Sequence, residues 1–391
     1  MKVDKTKWIT KPIRSLFDLQ MGKTPSRKSL ELWENGNTPW VSISDMNGIK
    51  YISSTKEMLP LATIIQCNIP VIPAGIVIMS FKLTIGKTCI ANVPLTTNEA
   101  IMAFYPKKEV QIDNSFLCYA LSAIKWKGNR AVKGLTINKK TISQKEMSLP
   151  CLTEQQAIAS ELDAIQTMID GYKAQLEDLD ALAQSIFLDM FGDPITNPKE
   201  WVIDKLGNHI KVIGGYAFKS GSFLESGIPV LRIGNINSGV FKKDNLVFWQ
   251  EDNKLLRYKI YPGDLVISLT GTVGKSDYAN VCILDRSYPM YYLNQRNAKL
   301  ELSNDIGKSY LTWLLKHKHI KNKLTKISRG IRQANMSNKD IEELIIPLPP
   351  LTLQQDFANQ VEAIEKQKEL IKSQLADAET LMAERMQYYF S

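Results

Sequence analysis

At 391 residues the chain is longer than one ordinary hydrophobic core, so two or three domains are expected. Its 44% hydrophobic and 23% charged residues are a globular composition. No apolar run is long enough for a membrane span, and the opening "MKVDKTKWITK" has no signal-like apolar core, which makes a cytoplasmic protein without membrane attachment the expectation.

The net charge of +9 is unevenly spread. Residues 1–150 carry +11, 151–194 carry −8, 195–345 carry +9 and 346–391 carry −3. Basic blocks are the footprint of a polyanionic partner, and the acidic segments between them suit contacts with protein. Five cysteines (Cys67, Cys89, Cys118, Cys151, Cys282) form no CxxC pair, and His209, His317 and His319 have no ligand spacing. Reduced thiols and no metal site follow.

In chain order, residues 1–150 read as a β-rich block, with short β-branched runs bounded by Gly, Pro and Asn and a helical stretch over 114–128. Pro150 then precedes "LTEQQAIASELDAI", where Thr153 and Gln156 have capping-box spacing. Apolar residues recur at 3-4 spacing from there: Leu162, Ile165, Ile169, Tyr172, Leu176, Leu179, Ala183, Ile186 and Met190. That seam predicts a coiled-coil helix of about 57 Å, stopped by Gly192 and Pro194. A second β-rich block fills 195–348, with a helical stretch over 308–327. Pro350 then precedes "LTLQQDFANQVEAI", with Thr352 and Gln355 at the same spacing. The second seam is Val361, Ile364, Lys368, Ile371, Leu375, Ala378, Met382, Arg385 and Tyr389, weakened by its two cations. The two helices are expected to pair antiparallel; the alternative is that each packs on its neighbouring block.

The blocks repeat as well. "PWVSISDM" (39–46) aligns with "PVLRIGNI" (229–236), "GIVIMSFKLTIGK" (75–87) with "GDLVISLTGTVGK" (263–275), and "SFLCYAL" (115–121) with "SYLTWLL" (309–315). "IANV" (90–93) falls against "YANV" (278–281) in the same frame. Domain (1–150), spacer helix (151–194), domain (195–348) and spacer helix (349–391) thus imply internal pseudo-twofold symmetry.

This order, the "P-x-L-T-x-Q-Q" helix openings, "MFGDPITNPKEW" (190–201) and "GKTPSR…W…PWVSISD" (22–45) resemble the specificity subunits of type I restriction-modification systems over essentially the whole chain. The resemblance implies two α/β target-recognition domains separated by two long helices in an antiparallel coiled coil. It implies a bipartite, asymmetric site on double-stranded DNA, read for two modification subunits that methylate adenine N6 with S-adenosylmethionine. It implies restriction subunits as further partners, and no catalytic residue or cofactor on this chain. Two alternatives remain: a specificity subunit for a stand-alone methyltransferase, or a two-headed scaffold for another polyanion.

Aligned positions that differ between the blocks are candidate base readers. Ser42 falls against Arg232 and Asp45 against Asn235; Arg suits guanine, Asn adenine, and Asp the cytosine amino group. They could equally be ordinary strand-surface residues. The glycine loops "GKTPSRKS" (Lys23, Thr24, Ser26, Arg27) and "GYAFKSGS" (Tyr216, Lys219, Ser220) suit phosphate or base-edge contacts. Lys87 and Lys275 align as a shared phosphate contact. The basic stretches 125–140 and 316–335 add Thr136 and Asn138, and Arg329, Arg332, Gln333 and Asn335; Asn294, Gln295 and Arg296 form one more polar cluster. "IGKT" and "VGKS" are not phosphate-binding P-loops, because Phe81 and Leu269 stand where the first glycine is required.

Overall fold

The computed structural model describes residues 3–126, 129–131, 134–236, 239–273, 275, 277–326 and 333–391, with only the backbone of 129–131, 134, 135 and 333. It divides into two compact units, residues 1–173 with 372–391 and residues 174–371, so each long helix lends one half to each unit. In the first unit a five-stranded sheet runs Phe17–Met21, Ile101–Pro106, Val77–Ser80, Thr88–Ala91, Tyr51–Ile52. Beside it lies a three-stranded sheet of Glu57–Leu59, Thr38–Val41 and Thr96–Thr97. The second unit repeats this plan as Ile210–Gly214, Asn297–Leu302, Leu265–Ser268, Val281–Ile283, with a four-stranded sheet centred on Ile228–Leu231 and Tyr291–Leu293. The continuous apolar runs of the inner strands (Val77–Ser80 and Leu265–Ser268, buried throughout) reflect layers on both faces. Among the described residues no helix is long and apolar enough to cross a membrane.

Strand register corrects one alignment. Val77 faces Ile90, and Leu265 faces Ile283, so Cys89 matches Cys282 and the "IANV"/"YANV" frame does not hold. The second copy carries extra residues between these strands. Ser80 N donates to Lys87 O while Ser268 N donates to Asn280 O, so the structural counterpart of Lys87 is Asn280. Lys275 belongs to the extra loop.

The long helices are Leu152–Phe191 and Leu351–Phe390, 40 residues each. Both open ahead of the expected threonine caps, which leaves Thr153 and Thr352 inside the first turn. The buried residue of each opening is the first glutamine of its pair. Gln155 donates to Pro150 O (2.9 Å) and Gln111 O (3.2 Å) and accepts from Asp113 N (2.9 Å). Gln354 donates to Pro349 O (2.8 Å) and accepts from Gly307 N (2.7 Å). Each glutamine thus ties its long helix to the start of its domain's own helix, at Asn114–Ala123 or Lys308–Lys316.

The helices pair antiparallel in each unit. In the first, Ile165 and Ile169 pack with Ala378, joined by Tyr172, Leu375 and Met382, and Arg385 binds Glu161 at 3.0 Å. In the second, Lys368 meets Asp180 at 2.8 Å, and Phe187 and Phe191 pack on Phe357. Lys368 and Arg385, expected to weaken the seam, are paired across it. Both expected modes of packing occur together, because the helix ends also complete the domain cores: Leu162 and Tyr389 in the first, Val361 in the second. Ile364 and Ile371 are buried, whereas Leu176 and Leu179 are half-buried. Towards the end of the first helix the buried face moves from Ile186 and Met190 to Phe187 and Phe191. A straight helix drifts by about 20° per heptad against a 3.5-residue repeat, and the domain core follows that drift.

Candidate nucleic-acid interface

In each domain a glycine loop crosses a tight turn between two strands. A Cβ on Gly22 would collide with the carbonyl oxygens of Thr97 and Asn98, and one on Gly215 with those of Leu293 and Asn294. The close approach lets Lys23 N donate to Thr97 O (2.9 Å) and Tyr216 N to Leu293 O (2.8 Å). The two turns are held alike. Asn98 Oδ1 accepts from Ala100 N at 3.0 Å, as Asn294 Oδ1 does from Arg296 N at 3.2 Å. Phe81 N donates to Ala100 O at 2.9 Å, as Leu269 N does to Arg296 O at 2.8 Å. Matching register places Glu99 opposite Gln295 in the repeat, and Ala100 opposite Arg296. Glu99 was not legible as a site residue, because its counterpart emerges only from strand pairing.

In the first domain most candidate side chains are already engaged. Lys23 Nζ donates to Cys67 O at 2.6 Å, and the Thr24 hydroxyl donates to Glu99. Arg27 forms a bidentate pair with Glu57 and lies 3.8 Å from the Trp33 ring centroid, while Ser26 O accepts from Trp33 Nε1 at 3.2 Å. The hydrogen bond from Arg27 holds the Glu57 carboxyl below the usual glutamate range. Ser42 and Asp45 close a capping box, Ser42 N donating to Asp45 at 2.9 Å, and Lys56 N donates to the other Asp45 oxygen at 3.2 Å. Burial alone would raise the Asp45 pKa, but these hydrogen bonds bring it below the usual range.

The second domain gathers its candidates differently. Asn235, 2% exposed, accepts from Arg232 N (3.0 Å) and donates to Lys242 O (3.0 Å) and Asp244 O (3.1 Å), so both of its amide hydrogens are spent inside the domain. Arg232 gives one Nη to Asn245 O, and its buried Nε has no partner among the described residues. Arg232 and Asn235 line a cleft of about 730 Å³ with Ser220, Asn294, Gln295 and Arg296, walled by Phe218 and Phe223. Gln295 and Arg296 are exposed, as are Lys219 and Ser220. Tyr216 is exposed and packs its ring on Phe218 (5.0 Å) and Tyr258 (5.3 Å).

The remaining candidates are dispersed. Lys87 donates to Asn47, and Lys275 is exposed. Asn138 caps a short helix by accepting from Thr141 N at 2.8 Å. Thr136 pairs with Lys82, and Asn335 with Thr270, on equivalent added ribbons. The helix Lys318–Lys326 buries Ile320 and Leu324 and turns Lys318, Lys323 and Lys326 outward. Arg329, Arg332 and the Gln333 side chain lie outside the described residues. Among the described residues no three His, Cys, Asp or Glu gather as metal ligands.

A family model described as the type I restriction modification DNA specificity domain matches residues 5–180 and 198–380. The type I restriction enzyme MjaIX specificity subunit of Methanocaldococcus jannaschii is 27% identical over 255 residues, which cover 60% of this chain and 59% of that one. The EcoKI specificity subunit of Escherichia coli is 20% identical over 95% of this chain and 85% of its own. The chain thus spans 59% and 65% of the two M. jannaschii relatives MjaIX and MjaVIII. The S subunit of a type I restriction-modification system from M. genitalium shares the fold, with a TM-score of 0.56 at 16% identity, covering 99% of this chain and 97% of that one.

Proposed function

The chain belongs to the family of type I restriction-modification DNA specificity domains, and we propose that it is the DNA-recognition subunit of such a complex. Each domain reads one half of a bipartite, asymmetric site on double-stranded DNA. The long helices carry modification subunits, which hold S-adenosylmethionine and methylate adenine N6 in each half; restriction subunits join the same assembly in the cytoplasm. The chain itself supplies no catalytic group. The observation that carries this reading is one backbone site built twice, with different side chains at matching positions: Glu99 and Ala100 against Gln295 and Arg296. A shared frame with unlike contents suits two unlike half-sites.

Labelled S-adenosylmethionine tests the division of labour. The purified chain with duplex DNA should transfer no methyl group, and adding the modification subunit should start transfer confined to a two-part sequence. Transfer by the chain alone, or unselective transfer by the pair, would contradict the proposal.

A further inference from the structure

We infer that the turns at 98–100 and 294–296 are the base-reading elements, Arg296 reading a guanine and Gln295 an adjacent adenine in one half-site, and Glu99 a cytosine in the other. This rests on the reading of the chain as a DNA-recognition subunit. Three observations support the assignment. First, the turns are fixed from several sides: by the internal Asn98 and Asn294 bonds, by Phe81 or Leu269, and by the glycine loop. A base reader needs such rigidity, since discrimination depends on holding a donor or acceptor at one base edge. Gln295 N donates to Tyr216 O at 2.8 Å, which fastens that residue's own backbone to the loop.

Second, most of the other candidate readers have their polar groups occupied within the domain, and Arg232 spends one Nη on Asn245 O. Ser42, Asp45 and Asn235 close caps, and Arg27 is bound to Glu57. Gln295 and Arg296, in contrast, extend into solvent beside the cleft and have no side-chain partner among the described residues. A free guanidinium fork suits O6 and N7 of guanine, and a free carboxamide suits N6 and N7 of adenine. Third, Glu99 is exposed and accepts a hydrogen bond from Thr24 on one carboxylate oxygen, and a carboxylate suits the amino group of cytosine. Ala100 offers no polar group at the position of Arg296.

Selection of binding sequences by the full chain from a randomised duplex pool tests the inference. The unaltered chain should enrich a two-part sequence with guanine beside adenine in one half and cytosine in the other; no two-part enrichment would overturn the DNA-recognition reading itself. Arg296→Ala should lower discrimination at the guanine by about 5- to 150-fold and leave the other half unchanged. Arg296→Gln keeps a polar side chain without the guanidinium fork and should exchange the guanine for adenine, which decides the matter should the alanine variant fail to bind. Gln295→Glu should exchange the adjacent adenine for cytosine, and Glu99→Gln should exchange cytosine for adenine in the other half. A two-part sequence left unchanged by Arg296→Gln and Gln295→Glu would overturn the assignment. So would a uniform loss of affinity in Arg296→Ala without any change of preference, which would mark a phosphate contact.

Discussion

In the first domain the loop after Gly22 is folded onto its own protein. Arg27 is spread on Trp33 and bound to Glu57, and Thr24 is bound to Glu99. In the second, the loop after Gly215 leaves Lys219 and Ser220 exposed, while Arg232, Gln295 and Arg296 border an open cleft. Backbone bonds at the two turns are nearly the same. The difference teaches that duplication preserved the frame and left the side chains to diverge in charge, with carboxylates at the first edge and guanidinium and amide groups at the second.

The largest effects should come from the shared frame. Gln155→Ala leaves two carbonyls and one amide without partners and should cost about 3 kcal/mol, whereas Gln354→Ala leaves one of each and should cost about 2 kcal/mol. Denaturant unfolding of the two variants measures this, and a negligible loss in either one would break the proposed correspondence between the helix openings. Gly22→Ala and Gly215→Ala drive a Cβ into backbone and should each cost about 1–3 kcal/mol. A loss in one domain only would show that the loops are not equivalent.

A smaller effect separates the two edges by pH. Because the Arg27 hydrogen bond lowers the Glu57 pKa, the pair's contribution is complete above the usual glutamate range and is lost as pH falls through the depressed value. Both side chains are substantially exposed, so the contribution should be under about 1 kcal/mol. Thermal unfolding should therefore lose slightly more between neutral and acid pH in the unaltered chain than in Glu57→Gln. Superimposable pH profiles would remove Arg27 from its structural role. Smallest of all, Lys275→Ala should reduce the salt slope of DNA binding by about one unit without altering sequence preference. Lys87, with an asparagine as its structural counterpart, provides no matching test in the second domain.

Much of this frame was legible in the sequence. Strand cores, the two glycines and the duplicated helix openings are set by period, by close approach and by burial, all of which leave marks on residue type. The antiparallel seam was legible for the same reason, down to Ile165, Ile169 and Ala378. What could not be read was how polar side chains are spent. Asn235 and Gln295 are both amides near a strand end, yet one is sealed inside a cap and the other is free. The lengthened loop around Lys275 misled the alignment because a chance "AN" match outweighed an insertion. Pairing of Lys368 with Asp180 and of Arg385 with Glu161 was likewise invisible, since each partner lies on the other helix.

The most direct test of two unlike heads on one frame is the methylation pattern of a genome exposed to this chain and its modification subunit. Two different short blocks separated by unspecified bases should be methylated, one adenine in each. A single continuous motif, or a palindrome with identical halves, would contradict the account.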